Sequence, residues 1–201
     1  TQFDECDITD LDKIRKLLKN KNTDNNIKIS FIPFFIKAIV KTIGDLPIFN
    51  SSLSQDGNFI YRKKYFNIGI AVNTDSGLLV PVIKNADTKS IKKISYELTD
   101  IIKKTKNKKL SPDNLSGGCI TITSLGGVGG TYFTPIVNPP DVAILGISRS
   151  INEPIVIKEQ LQQRLMLPIS LSYDHRIIDG ADAARFTTKF GKLLSEYKKM
   201  V

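Results

Sequence analysis

Leu165-Met166-Leu167-Pro168-Ile169-Ser170-Leu171-Ser172-Tyr173-Asp174-His175-Arg176-Ile177-Ile178-Asp179-Gly180 joins an apolar run to a polar strip. Leu165 to Tyr173 is short and mostly apolar, so it reads as a strand. Ala181 to Lys198 follows, with Phe186, Phe190, Leu193, Leu194 and Tyr197 at helical spacing. That pattern predicts a closing helix with one inner stripe. A strand that runs into a helix through a polar loop suits an α/β layered domain.

The segments upstream repeat this mixture. Val142 to Ile147 reads as another apolar strand, and Cys119-Ile120-Thr121-Ile122-Thr123 alternates at a period of two, which buries one side. Asn67 to Asn73 and Leu78 to Ile83 read as strands around an Asp75-Ser76-Gly77 turn. Thr9 is expected to cap a first helix carrying Leu11, Ile14, Leu17 and Leu18 on one face, and Asn20 to Asn26 is a polar connector. Ser30 and Pro33 start a second helix, which Gly44 and Pro47 end. Its residues from Phe34 to Ile43 are apolar nearly all round, so it should be buried on most sides. Ser90 to Lys106 is a third helix, with Ile91, Ile94, Leu98, Ile101 and Ile102 on one face. No internal repeat and no domain boundary interrupts the 201 residues, so a single domain is expected.

Composition narrows the class. The chain is 41% hydrophobic and 24% charged, as globular domains are. No apolar run approaches the roughly 20 residues that span a bilayer; the longest, Phe31 to Val40, contains Pro33 and Lys37. The polar, acidic opening Thr1-Gln2-Phe3-Asp4-Glu5 is no secretory signal and reads as a cut within a longer polypeptide. Cys6 and Cys119 form neither a metal-type pair nor a disulfide framework, so a reducing, cytoplasmic setting is expected. One histidine leaves most zinc ligand sets unfilled, and no metal is expected. The net charge of +9 fits a solvated lysine-rich surface and also an anionic partner; charge alone does not separate these.

His175 is the one side chain whose ordinary pKa lies near neutrality, and it sits in a loop at a strand end, where reactive groups are presented. On these grounds alone a structural role stays open. Thr123 has the same ambiguity, because threonine is common in strands. Asp179 suits a helix N-terminus. Gly126-Gly127-Val128-Gly129-Gly130 lacks the Lys-Ser/Thr of a phosphate loop and the dinucleotide spacing; its glycines permit tight backbone near a substrate channel. Lys103, Lys104, Lys106, Lys108 and Lys109 read as the wet end of a helix, without the interleaved aromatics that nucleic-acid stacking uses. Tyr61-Arg62-Lys63-Lys64-Tyr65 has that mixture but fits a hairpin equally.

The strip from Asp174 to Gly180 resembles the signature of the dihydrolipoamide acyltransferases, the acyl-carrying cores of 2-oxo acid dehydrogenase complexes. Its His and Asp placement is also similar to that of chloramphenicol acetyltransferase. Gly118-Cys119-Ile120-Thr121-Ile122-Thr123-Ser124-Leu125-Gly126-Gly127, the stretch from Pro135 to Gly146, and Asn67 to Val82 resemble the same family. The likeness therefore runs along essentially the whole chain.

The resemblance implies an α/β, chloramphenicol acetyltransferase-like two-layer sandwich, with a mixed β-sheet covered by helices. It implies that residues 1–201 are one acyltransferase catalytic domain, with lipoyl and peripheral-subunit-binding domains elsewhere. It assigns His175 as general base, Thr123 as hydroxyl donor to the oxyanion, and Asp179 as the residue fixing the loop through an Arg partner. Phe133 would line the lipoyl channel, with core packing as the alternative. Coenzyme A or acetyl-CoA and lipoyl-lysine would be the substrates. Leu167 to Tyr173 and Ala181 to Phe186 are spelled most like bacterial pyruvate-type members, which favours acetyl. Such members form trimers in which His175 of one chain would meet Thr123 of another, assembled into a cube of 24 chains with pyruvate dehydrogenase and dihydrolipoamide dehydrogenase as partners. Neither nucleic acid nor membrane is an expected partner. A succinyl or branched-chain acyltransferase, a small-molecule O-acetyltransferase, a purely structural core and a basic nucleic-acid binder remain as alternatives.

Overall fold

The computed structural model describes residues 1–201 apart from 23, 25, 26, 76 and 198–201. Part of the polar connector, the middle of the expected turn and the last position of the closing helix therefore lie outside the described residues.

Seven strands build the main sheet. In order across it they are β1 (Gln2–Asp7), β11 (Gln160–Tyr173), β9 (Ala143–Ile147), β8 (Ile120–Ser124), β4 (Ile68–Ile70) and β7 (Val82–Ile83), with β10 (Ile151–Ile157) paired to the first half of β11. β8 runs parallel to both β4 and β9, and the other pairs are antiparallel. The sheet is thus mixed, as expected. Two hairpins stand apart from it: β2 (Ser51–Leu53) with β3 (Ile60–Arg62), and β5 (Val72–Thr74) with β6 (Gly77–Leu79). The basic Tyr61 to Tyr65 stretch begins in the first of these hairpins.

Four α-helices form one layer: α1 (Thr9–Lys21), α2 (Ile32–Asp45), α3 (Ile91–Lys106) and α4 (Gly180–Ser195). α2 packs on both α3 and α4, and α4 packs on α1, β1 and β11. The apolar girdle of α2 is buried as its pattern demands, with Phe34, Phe35, Ile36, Ala38, Ile39 and Ile43 all out of solvent. α4 meets it through Phe186 and Phe190, and the Phe49 and Phe186 rings lie 4.6 Å apart. Each such side chain contributes about 1.5–3 kcal/mol by leaving water. Ser90 caps α3, its hydroxyl oxygen accepting from the Lys93 N–H at 3.2 Å.

Strand alternation sorts the sheet into two unlike faces. Ile120, Ile122, Leu145, Ile147, Ile169 and Leu171 share the face that meets the helices. Thr121, Thr123, Gly146, Ser170, Ser172 and Phe3 share the other. None of the four helices covers that second face. Both cysteines are free and buried; burial pushes the Cys6 thiol up to about 12 and raises that of Cys119 as well. No helix among the described residues is long and apolar enough to cross a membrane.

Several expectations are corrected. Thr9 is not a side-chain cap. Its hydroxyl donates to Asp7 Oδ1 at 2.6 Å and accepts from the Leu165 N–H at 2.8 Å, so it ties the helix start to β11. The strand expected over Asn67 to Asn73 divides into β4, which joins the main sheet, and β5, which does not. Leu78 to Ile83 divides likewise, at Pro81, which has no N–H to give a ladder. Strands β1 and β10 escaped the hydrophobic pattern altogether.

Candidate active site

The apolar half of β11 carries the chain to Tyr173, and the loop beyond it is pinned at both ends. At its start the Asp174 N–H donates to the Val142 carbonyl of the neighbouring strand segment at 2.8 Å. The Asp174 carbonyl then accepts from the N–H groups of Ile177 and Ile178, each at 3.0 Å. At its end Ile178 is fully buried, and Asp179 caps α4 by accepting from the Asp182 N–H at 2.8 Å. A side-chain cap of this kind satisfies one of the helix's orphan donors.

Between those anchors His175 stands exposed, its ring tilted against Tyr173 with centroids 5.7 Å apart. A core role for this imidazole is thereby ruled out. Its neighbours form a fork: Arg176 Nε donates to Asp174 Oδ1 at 3.0 Å, and Arg176 Nη2 donates to Oδ2 at 2.7 Å. The Arg176 guanidinium holds the Asp174 carboxyl below the usual carboxylate range. Two-point pairing fixes orientation as well as charge. Among the described residues no arginine pairs with Asp179; Arg176 takes Asp174, and Arg185 takes Asp182. Asp179 therefore acts within the chain through its cap.

Thr123 lies on β8, half-buried, on the helix-free face, and its hydroxyl has no hydrogen-bond partner among the described residues. It does not meet His175. Thr123 pairs with Gly146 of β9, whereas Tyr173 pairs with Ala143 on the other side of the same strand. Three residues along and two strands across place the two Cα atoms roughly 14 Å apart. Beyond Tyr173 the chain moves farther from Thr123, because β11 runs antiparallel to β9.

Phe133 reaches the strand position beside Thr123. A Cβ added to Gly146 would fall 2.8 Å from Phe133 Cζ, so the ring rests on the bare backbone of the residue paired with Thr123. The Gly126 to Gly130 run begins in a turn just after β8, where the N–H groups of Val128 and Gly129 both donate to the Leu125 carbonyl.

A buried polar network, which sequence alone did not disclose, underlies the loop. Thr121 donates to Asp141 Oδ2 at 3.0 Å, and Lys63 Nζ lies 3.8 Å from Asp141 Oδ1 while donating to the Gly118 carbonyl at 2.8 Å. Burial raises the Asp141 carboxyl above its ordinary range despite Lys63. Asp141, Asp174 and Arg176 also line an open groove of about 490 Å³. The neighbouring Pro139-Pro140-Asp141 spelling marked the segment but not its partners. Among the described residues no cluster of three or more His, Cys, Asp or Glu side chains converges.

The family model for the catalytic domain of 2-oxoacid dehydrogenases acyltransferases matches residues 1–201. The chain belongs to this acyltransferase family. A curated relative from Cupriavidus necator, the dihydrolipoyllysine-residue acetyltransferase component of a pyruvate dehydrogenase complex, is 49% identical over the whole chain. The chain spans 36% of that relative's length. Two solved acyltransferase-family neighbours each superpose with a TM-score of 0.96 at 47% identity, covering 99% of this chain and 82% of theirs. One is the dihydrolipoamide acetyltransferase of Azotobacter vinelandii, studied for the role of a serine, a histidine and an asparagine in its catalytic mechanism. The other is the cubic core of a pyruvate dehydrogenase multienzyme complex. Chloramphenicol acetyltransferase, at 15% identity and a TM-score of 0.63, shares the family fold; the expected architecture is therefore the observed one.

Proposed function

We propose that this domain transfers an acetyl group between dihydrolipoamide and coenzyme A, with His175 as the base. The observation that carries the reading is an exposed imidazole on a loop pinned at both ends. The Azotobacter study supports the assignment: its serine, histidine and asparagine have the same separations along that chain as Thr123, His175 and Asp179 have here.

A thiol with a pKa of about 8.5 is a weak nucleophile until its proton leaves. His175 accepts that proton from coenzyme A or from dihydrolipoamide, according to direction. The thiolate sulfur bonds to the thioester carbonyl carbon, and the carbonyl oxygen becomes an oxyanion. The Thr123 hydroxyl donates a hydrogen bond to it, a contact that grows in value as charge develops. The intermediate collapses, the other carbon–sulfur bond breaks, and the departing thiolate recovers a proton from the imidazolium. One base serves both thiols, so no acyl-enzyme is required.

Thr123 and His175 are too far apart within a chain to share this step, so the site forms between copies. The helix-free sheet face supplies the surface, since Phe3, Tyr132, Val128 and Ile136 stand exposed there or on the segment following β8. A trimer is the smallest ring that gives every chain both neighbours, and the cubic neighbour supports a 24-chain core. Residues 1–201 are then one catalytic domain of a larger cytoplasmic protein that receives lipoyl-lysine from another domain and works with pyruvate dehydrogenase and dihydrolipoamide dehydrogenase. Phe133 lines the lipoyl approach.

A panel of acyl-CoA thioesters assayed with dihydrolipoamide tests this reading. Acetyl-CoA should be used fastest, and His175→Ala should abolish transfer while sedimenting as the parent does. Undiminished turnover by that variant overturns the mechanism, and a preference for succinyl-CoA or branched acyl-CoA overturns the acetyl assignment.

A further inference from the structure

Thr123, Gly146 and Ser170 form one row across three adjacent strands, on the face that no helix covers. The middle position is bare. A Cβ on Gly146 would lie 2.8 Å from Phe133 Cζ, 3.2 Å from Phe133 Cε2, and closer still to Ser170 Oγ. Real Cβ atoms do not tolerate such approaches, so the Phe133 ring sits where a side chain would otherwise be. Beneath it the Ser170 hydroxyl is fully buried and has no hydrogen-bond partner among the described residues.

The ring stands on the strand position paired with Thr123, beside the approach that the proposed function gives to a thiol. Charge and polarity indicate which thiol that is. The surroundings are aromatic and acidic: Phe3 meets Tyr132 edge to face at 5.7 Å, and the Tyr132 hydroxyl bonds Glu5. Asp4 and Glu153 add further negative charge near Tyr132. A polyanionic nucleotide thiol is repelled by such a wall, whereas the neutral, largely apolar lipoyl arm is not.

Building on the function proposed above, we infer that Gly146 is a positioning residue, whose missing side chain seats Phe133 and thereby sets the width of the path taken by the dihydrolipoyl thiol. Gly146 touches no reacting atom. It acts only through the ring.

The test is a cycle of variants of the full chain in a Ser170→Ala background, which clears the hydroxyl side of Gly146 at no loss of a bond. Michaelis constants and kcat are measured for dihydrolipoamide and for coenzyme A. Gly146→Ala should raise KM for dihydrolipoamide about tenfold, leave KM for coenzyme A within about twofold, and add nothing once Phe133→Leu is present. An equal rise for both thiols, no rise for either, or additive effects in the combined variant overturns the inference. If the added methyl prevents folding, Phe133→Leu alone decides: it must shift KM for dihydrolipoamide and not for coenzyme A. If the unsubstituted chain transfers no acyl group between thiols, the functional reading falls first and this inference falls with it.

Discussion

Thr123 and His175 flank strand β9 from opposite sides and near opposite ends, so under the proposed function one chain holds halves of two different sites. Chains carrying His175→Ala should be inactive, and chains carrying Thr123→Ala should retain only about a hundredth of the parent's turnover. Co-refolded in equal amounts, they should recover about a quarter of the parent's turnover, the share of interfaces that pair two intact halves in a closed ring. Failure to recover any activity, with mixed assemblies shown by mass, would mean that each chain works alone.

The unpartnered Thr123 hydroxyl leads to a narrower expectation. Thr123→Ala should lower kcat by about 100-fold with KM little changed, as for the loss of one oxyanion donor. Thr123→Ser, which retains a hydroxyl, should stay within about tenfold of the parent. A change confined to KM would remove Thr123 from the transition state.

Asp179 offers a cap to α4, and asparagine caps about as well as aspartate. Asp179→Asn should therefore keep both thermal stability and most of the turnover. Asp179→Ala should lose about 1 kcal/mol of stability and reduce kcat, because the loop that presents His175 loses its distal anchor. Equal damage from both substitutions, read by thermal unfolding and by turnover, would point to charge rather than the cap.

The Asp141 carboxyl binds its proton more tightly folded than unfolded, since burial raises it above its ordinary range. A folded state that holds the extra proton is stabilised at low pH, and that contribution is lost as pH rises through the carboxyl's titration. The unfolding midpoint of Asp141→Asn relative to the parent should accordingly increase from about pH 4 upward. Removing Lys63's partner adds a pH-independent offset, so the slope and not the level is diagnostic. A flat difference between the two melting curves across that range would contradict the assignment.

The elements with strong apolar periodicity were legible without a structure. α2 and α4 carry enough phenylalanine and isoleucine to dictate their own burial, and the strand–loop–helix around His175 follows from them. β1 was not legible, because Gln2-Phe3-Asp4-Glu5-Cys6-Asp7 carries three acidic residues and little strand preference of its own. It is a strand because β11, far along the chain, offers it a register from Gln2–Leu171 to Asp7–Met166. At the proposed site, loop position and cap chemistry singled out His175 and Asp179 without deciding their roles, which came, like that of Thr123, from the resemblance. Gly146 and Asp141 could not do so, since their parts depend on Phe133, Ser170, Thr121 and Lys63 arriving from separate segments.

The sequestration of Cys6 and Cys119, with both thiols held in their protonated form, has a practical side under the proposed function, in which both substrates are themselves sulfhydryls. An accessible thiolate on the protein would intercept thioesters or form mixed disulfides with an oxidised lipoyl ring. With its own sulfur withdrawn, this scaffold stays a bystander to exchange chemistry, and colorimetric thiol reagents added to the native assembly should report substrate rather than enzyme.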